Sequence, residues 1–232
     1  RFDQCSWDGT NREVVDSSGN DYDATAQANA ITDQNDATLC QSAFFSNSGG
    51  DYLSAAKELD ILRGTASLSL WIKTTQVGND NPWFAPGVTG VEVAGGHNDI
   101  FWGWLDASGH IGLTVGNDKF SKSITPINDD AWHHVVLTRD ANTGAYAIYI
   151  DGLHDVSGTL ASGVITNIFS SIGRIEDIGG TPNYLFGKLD EVKIFDQVLI
   201  LSQVQDIYNN ESQGDNYDGT SRNCQICAAV DH

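Results

Sequence analysis

Alternation of apolar and polar residues is the strongest pattern in this chain, and it is clearest between residues 66 and 74. There Leu68, Leu70 and Ile72 alternate with serines and with Trp71. Successive side chains of a β-strand point to opposite faces, so this period of two predicts a strand with one buried face. Trp71 falls on the other face, where the pattern predicts that it lines a groove.

Residues 132–152 predict an antiparallel hairpin. Two runs rich in aromatic and β-branched residues flank a five-residue turn that ends at Gly144, and such a loop is typical of hairpins. His133 and His134 lie beside valines in the first run, so we expect core or groove histidines rather than catalytic ones. Turn signals recur about every 8 to 15 residues elsewhere, which predicts an all-β, two-sheet sandwich.

The ends of the predicted sandwich carry weaker signals. Residues 2–7, 24–32 and 186–195 have the composition of three further strands. One short helix is predicted after the last of them, because Ser202 followed by Gln205 matches a capping box.

Composition fits a single sandwich with a short extension. The chain has 232 residues, with 24 Gly and 4 Pro, as many short strands joined by turns would require. No linker-like stretch precedes residue 212, so we expect one domain over residues 1–211 and a cysteine-containing tail or linker over residues 212–232. No run of 18 apolar residues occurs, so we expect no membrane insertion of this segment.

The net charge of −19, from 31 acidic and 12 basic residues, narrows the choice of partners. Nucleic acid binding relies on Lys and Arg that neutralise phosphates, so a nucleic acid partner is excluded, and an anionic membrane surface is excluded for the same reason. Two interpretations remain open and compatible: a solubilising surface, and carboxylates that hold a hard cation such as Ca²⁺.

The four cysteines are Cys5, Cys40, Cys224 and Cys227. An even number fits disulfides in an exported protein, whereas a zinc site would need a second pair of ligands that the sequence lacks. Three pairings are possible. We expect Cys5–Cys40 together with Cys224–Cys227.

Two acidic segments are candidates for calcium. Asp16, Asn20, Asp21 and Asp23 place several oxygens within eight residues, either as calcium ligands or as an Asx turn that caps itself. Asp190 lies inside a predicted strand next to Glu191. Burying it requires a metal, an Arg or backbone donors, so it is the best candidate for a structural ligand.

The candidate ligand-binding residues combine aromatic rings with hydrogen-bonding side chains, a mixture common in small-ligand sites. They are Trp83, His97, Asn98, Asp99, Trp102 and Trp104. Sugars are bound by rings that stack on their C–H faces and by polar groups that bond their hydroxyls. Trp102 and Trp104 are two residues apart and are expected on one face, so both line the groove or both fill the core.

Catalytic patterns are missing. Glycosidases need two facing carboxylates, about 5 to 10 Å apart, and on a strand this requires alternating acids. Asp190 and Glu191 are adjacent and are expected to point to opposite faces, while Glu92 and Asp99 have no informative spacing. No GxSxG nucleophile motif occurs. We therefore expect no enzymatic activity.

Several segments together resemble the laminin-G-like, concanavalin A-like jelly-roll family over about residues 1–211. They are 16–20, 51–53, 68–72, 132–135, 149–152 and 187–195. The resemblance implies an antiparallel two-sheet sandwich, and many relatives are extracellular lectin or adhesion modules. Many relatives also bind Ca²⁺ near their terminal strands, which would make Asp16, Asn20 and Asp190 the ligands here.

The cysteine-bearing ends, residues 5–10 and 218–224, are similar to the jelly-roll region of MSHA-type pilus proteins of Gram-negative bacteria. The expected function is an extracellular, non-enzymatic recognition module, stabilised by calcium, that binds glycan or a cell-surface partner in the manner of an adhesin. The alternative is an assembly domain of a pilus or surface complex that binds pilus subunits. A polysaccharide-degrading enzyme is the third hypothesis.

Overall fold

A computed structural model describes residues 2–46, 49–95, 98–116, 119–224 and 227. Over these residues the chain forms sixteen strands and one α-helix. They are β1 (Ala24–Gln27), β2 (Ile31–Asp33), β3 (Ser42–Phe45), β4 (Tyr52–Ala55), β5 (Ala66–Lys73), β6 (Thr89–Val93), β7 (Ile100–Leu105), β8 (His110–Val115), β9 (Phe120–Pro126), β10 (His133–Arg139), β11 (Ala145–Ile150), β12 (Leu153–Thr159), β13 (Ser171–Ile172), β14 (Arg174–Ile178), β15 (Asn183–Tyr184), β16 (Gly187–Phe195) and α1 (Leu201–Ser212).

Two large sheets form the sandwich. The front sheet has the strand order β12-β11-β10-β5-β16-β3-β2, and the back sheet has the order β15-β14-β6-β7-β8-β9. A third, small sheet has the order β1-β4-β13, and its Ala24, Ala26 and Leu53 pack in the same apolar core as the two large sheets. The pairing of β14 with β6 is parallel, whereas the other pairs described are antiparallel. The predicted jelly-roll sandwich with one short C-terminal helix is confirmed.

The main core lies between the two large sheets. Leu68, Leu70 and Ile72 of β5 face Trp102 and Leu113 of the back sheet, and all five side chains are fully buried in one apolar cluster. The predicted alternation in β5 is therefore correct. The predicted hairpin is also present, because Val135 to Arg139 of β10 pair antiparallel with residues 146–150 of β11.

Helix α1 covers the outer face of the front sheet, so the prediction of a single buried face in β5 was too narrow. Val204 and Ile207 pack on Val136. Trp71 is buried beneath the helix and its indole N–H donates to Glu211 at 2.8 Å, so its predicted place in a groove is wrong. The helix begins one residue before the predicted cap Ser202.

Both chain ends are joined by the disulfides, but not in the predicted pairing. Cys5 pairs with Cys227 and Cys40 pairs with Cys224, each with a Cα–Cα distance of 5.3 Å. The prediction failed because it joined cysteines close in sequence, whereas the fold brings the two ends of the chain together. Sequence distance says little about distance in a sandwich whose terminal segments meet.

The remaining differences concern the N-terminus and the tail. Residues 2–7 form no strand, although Phe2 and Trp7 are buried with their rings edge to face at 5.6 Å. Residues 24–32 divide into β1 and the start of β2. The described part of the predicted tail is tied to the domain, because Arg222 donates to Glu191 at 2.5 Å and to Asp3 at 2.7 Å.

Candidate functional site

The outer face of the back sheet carries a second apolar cluster. Phe101 of β7, Trp104 of β7 and Ile175 of β14 pack with Ala85, which follows the 3₁₀ turn Pro82–Phe84. The loop before β6 thus folds over this face and brings aromatic residues to it.

A β-bulge separates the two predicted tryptophans. The pairing of β7 with β8 shifts between Trp102 and Trp104, and Gly103 has a φ of +74°. Trp102 therefore faces the main core and donates its indole N–H to the carbonyl of Leu62 at 3.1 Å, while Trp104 faces outward. The expectation that they share a face is wrong, because a bulged residue changes the alternation.

Both tryptophans are 0% exposed, so neither ring is available to a ligand, and their prediction as contact residues is corrected. The indole of Trp104 lies over Gly112, where a Cβ would overlap it. Its buried N–H has no acceptor among the described residues. Trp104 instead supports the ring of Phe120, whose centroid lies 6.0 Å away in an edge-to-face contact.

The rings of Trp83 and Phe120 meet on this face, and we call them, together with Phe84 that follows Trp83 in the same 3₁₀ turn, the aromatic surface. Phe84 is 65% exposed and Phe120 is 47% exposed, while Trp83 is half-buried. The rings of Trp83 and Phe120 meet edge to face at 6.1 Å. Exposed aromatic rings fixed by buried neighbours are the type of surface on which a saccharide ring can stack.

Asp99 fixes the orientation of Trp83 rather than facing a ligand. Its carboxylate accepts the indole N–H of Trp83 at 3.1 Å and the backbone N–H of Val93 at 2.9 Å, and it is 1% exposed. Asn98 is exposed beside it, and its carbonyl accepts the amide of Asn167 at 3.1 Å. His97 lies outside the described residues, so its predicted role stays a prediction.

Three carboxyl groups, which we call the acid row, lie on neighbouring strands of this face: Asp177 on β14, Glu92 on β6 and Asp99 just before β7. The parallel pairing places Asp177 directly opposite Glu92. Burial, a hydrogen bond that protonated Glu92 donates to Asp177 and the charges of both neighbours raise the pKa of Glu92 to about 7. Glu92 therefore keeps its proton to a higher pH than an isolated glutamate does, because its neighbours carry like charge.

Sequence reasoning missed Phe120 and Asp177. Phe120 begins an edge strand, and Asp177 reaches Glu92 only through a parallel pairing between segments 85 positions apart in the chain. The alternation of Ile175 and Asp177 was visible, but it could not say which strand lies alongside. The sequence suggested that Glu92 could approach Asp99, but it offered no specific spacing for the pair and did not suggest Asp177.

The predicted calcium ligands have other roles in the structure. The carboxylate of Asp190 accepts backbone N–H groups from Thr38, Leu39 and Glu191 at 2.7 to 3.1 Å, and burial raises its pKa to about 8. These three backbone donors are the partners that the structure gives to Asp190, and its role as a calcium ligand stays a prediction. Of the three ways to offset the cost of burying this carboxylate, namely a metal, an Arg or backbone donors, the structure shows backbone donors.

Asp16 caps its own loop. It accepts the backbone N–H of Ser18 at 2.9 Å and that of Tyr22 at 3.1 Å, so the Asx-turn alternative describes this loop. Asp16 and Asn20 line a cleft of about 590 Å³ at one end of the sandwich, together with Lys193 and Tyr22. The described residues contain no group of three or more His, Cys, Asp and Glu placed to hold a metal ion. Calcium binding stays a prediction.

Other carboxylates lie beneath α1. Glu191 and Glu211 are buried and both contact Lys193, which lies 2.8 Å from Glu191. His134, also buried there, bonds Ser69 at 3.0 Å, and burial lowers its pKa to about 3. His134 is thus a core histidine, as predicted. These groups are paired and covered, so they hold the helix in place and offer no open site.

The protein is a jelly-roll sandwich with accessible aromatic rings on one outer face. Jelly-roll sandwiches are a class that includes lectin domains. Residues 47–205 match the family model described as the concanavalin A-like lectin/glucanases superfamily. The chain belongs to this superfamily. No curated protein matches the chain.

Solved structures share the fold at low sequence identity. Domain 4 of AbnA, a GH43 extracellular arabinanase from Geobacillus stearothermophilus, in complex with arabinotriose, is 20% identical with a TM-score of 0.59 over 83% of this chain and 91% of that one. The heptameric SAP-like pentraxin of Limulus polyphemus is 16% identical, with a TM-score of 0.53 over 75% and 82%. The binding domain of botulinum neurotoxin DC with rat synaptotagmin II is 15% identical, with a TM-score of 0.60 over 89% of this chain and 51% of that one.

Among the described residues, no helix combines the length and apolar character needed to cross a membrane.

Proposed function

We propose that this chain is an extracellular, non-enzymatic recognition module that binds glycan on the aromatic surface. The observation that carries the proposal is the exposure of Phe84 and Phe120 beside the half-buried Trp83, on a fold whose solved relatives include a domain in complex with arabinotriose. Trp104 beneath Phe120 and Asp99 behind Trp83 hold the rings in place, so little ordering is needed when a saccharide stacks on them.

The carboxylate geometry supports binding without catalysis. Glu92 and Asp177 lie directly opposite each other on paired strands, close enough for a hydrogen bond to raise the pKa of Glu92, whereas a retaining glycosidase keeps its two carboxyls about 5 to 5.5 Å apart and an inverting one keeps them further apart. Glu191 and Glu211 are buried beneath α1 and paired with Lys193. Neither pair leaves room for a glycosidic bond between two acids.

The two disulfides support an oxidising compartment outside the cytosol. The proposal has three further parts that do not depend on the aromatic surface. They are adhesion to a cell surface, attachment to a pilus and stabilisation by calcium. The second hypothesis is an assembly domain that binds pilus subunits. This second hypothesis is supported by the cysteine-bearing ends of the chain, which the two disulfides hold next to each other.

Affinity electrophoresis in gels that contain arabinan, xylan, galactan or dextran tests the proposal. We expect retardation of the wild type by at least one neutral polysaccharide and loss of most retardation in Phe120→Ala and Trp83→Ala, since stacking on one ring contributes about 1 to 3 kcal/mol by analogy with base stacking. Leu153→Ala is the matched control, because it removes an apolar side chain that is 66% exposed on the front sheet.

Absence of retardation by every glycan, combined with capture of pilus subunits by the wild type, would favour the assembly domain. Release of reducing ends from any of these polysaccharides would instead establish the enzyme.

A further inference from the structure

We infer that the acid row makes the aromatic surface selective for uncharged saccharides and against those that carry carboxylates. This inference rests on the proposed function and adds the class of ligand. Glu92 and Asp177 are then specificity-determining residues.

The acid row and the aromatic surface are parts of one face. Ile175 packs on Trp104, and Asp177, two residues further along β14, points to the same side of the sheet. Glu92 lies opposite Asp177 on β6. Asp99 connects the two features directly, because its carboxylate accepts the indole N–H of Trp83. A saccharide stacked on the aromatic surface therefore lies beside the acid row.

No Lys or Arg among the described residues forms an ion pair with Glu92 or Asp177, whereas other acids of this chain do have such partners. Lys188 lies 2.8 Å from Asp33, for example, and Lys73 lies 2.9 Å from Asp36. Like charges without a nearby cation repel an incoming anion.

The chemistry of the row favours hydroxyl groups. Carboxylates accept hydrogen bonds from sugar hydroxyls, and a carboxyl group that retains its proton can also donate one. A uronate or a carboxymethyl group would instead place a second negative charge a few ångströms away. The net charge of −19 adds to the repulsion at low ionic strength.

Three derivatives of one neutral polysaccharide test the inference. Arabinan, carboxymethyl arabinan and hydroxyethyl arabinan are compared by affinity electrophoresis at low salt, where the hydroxyethyl form matches the added bulk without the charge. We expect the wild type to bind the carboxymethyl form about tenfold more weakly than the hydroxyethyl form, as expected for one to two unscreened like-charge contacts near a surface. The difference should shrink as salt is raised.

The double variant Glu92→Gln/Asp177→Asn should bring the ratio of binding between the carboxymethyl and hydroxyethyl forms close to one, whatever change it makes to binding of the hydroxyethyl form itself. The control Asp196→Asn/Asp206→Asn removes two charges from exposed positions flanking and within α1, and should keep the difference.

Each outcome decides a separate point. Equal binding of the carboxymethyl and hydroxyethyl forms by the wild type would overturn the inference and leave glycan binding intact. A difference that persists unchanged in the Glu92/Asp177 variant would show that other charges cause it, and would also overturn the assignment. If xylan, galactan and dextran as well as all three arabinans fail to bind, the proposed function and the inference fall together.

Discussion

Removal of one disulfide should lower the free energy of unfolding by an amount that depends on how the two bridges are nested in the sequence. Cys40–Cys224 lies inside the segment closed by Cys5–Cys227. Each single bridge closes a segment of about two hundred residues in the unfolded chain. When one is already formed, however, the second closes only a ring of about 40 residues, made of residues 5–40 and 224–227.

The chain-entropy description converts these lengths into free energies of unfolding. A ring of about 40 residues contributes about 4 kcal/mol, and the first bridge of about 200 residues contributes about 5 kcal/mol. The variant Cys5→Ser/Cys227→Ser should therefore lose about 4 kcal/mol, equivalent to about 8 to 16 °C in Tm for a domain of this size. Removal of all four cysteines should cost about 9 kcal/mol, more than twice the loss for one bridge.

Urea denaturation followed by tryptophan fluorescence measures these losses, with the wild type in oxidising buffer as the reference. Replacing both partners of a bridge avoids a free thiol that could exchange. A non-reducing peptide map of the same preparation should yield the peptides joined through Cys5–Cys227 and Cys40–Cys224. Recovery of a Cys5–Cys40 peptide, or a Cys5→Ser/Cys227→Ser variant as stable as the wild type, would refute the reasoning.

Three further results are expected. Because the pKa of Glu92 is raised from 4.5 to about 7, the folded state holds a proton that the unfolded state has lost between these pH values. The free energy of unfolding should therefore fall as pH rises through that interval, by about 1 kcal/mol after solvent screening. Urea titrations at pH 5 and pH 8 should show this fall in the wild type and not in Glu92→Gln, and an equal fall in both proteins would contradict it. Arg222→Met leaves the buried Glu191 with Lys193 as its remaining cation and should cost about 3 kcal/mol in urea denaturation, whereas a loss below about 1 kcal/mol would mean that the pair contributes little. Any rise in Tm on adding Ca²⁺ should be the same in the wild type and in Asp190→Asn; a rise lost only in the variant would make that residue a ligand.

Local patterns in the sequence were sufficient for the architecture. The alternation in β5 follows from which neighbouring side chains are apolar, the hairpin of β10 and β11 also from its Gly-containing turn, and the final helix from a capping pattern that lies within one residue of its observed start. These patterns depend on spacings of two to four residues, which a sequence displays directly. The valines beside His134 likewise indicated a buried histidine.

The candidate surface depended on contacts that no local pattern contains. A bulge at Gly103 placed Trp102 and Trp104 on opposite faces, although their spacing predicts one face. Parallel pairing of β6 with β14 placed Asp177 against Glu92, and no turn signal marks such a pairing.

The disulfides show the same division between sequence and tertiary structure. The sequence determined that four cysteines were available, and the closure of the sandwich decided which of them meet. The physical reason is that side-chain alternation is fixed by the geometry of a single strand, whereas strand order, bulges and the meeting of chain ends are fixed by packing across the whole domain.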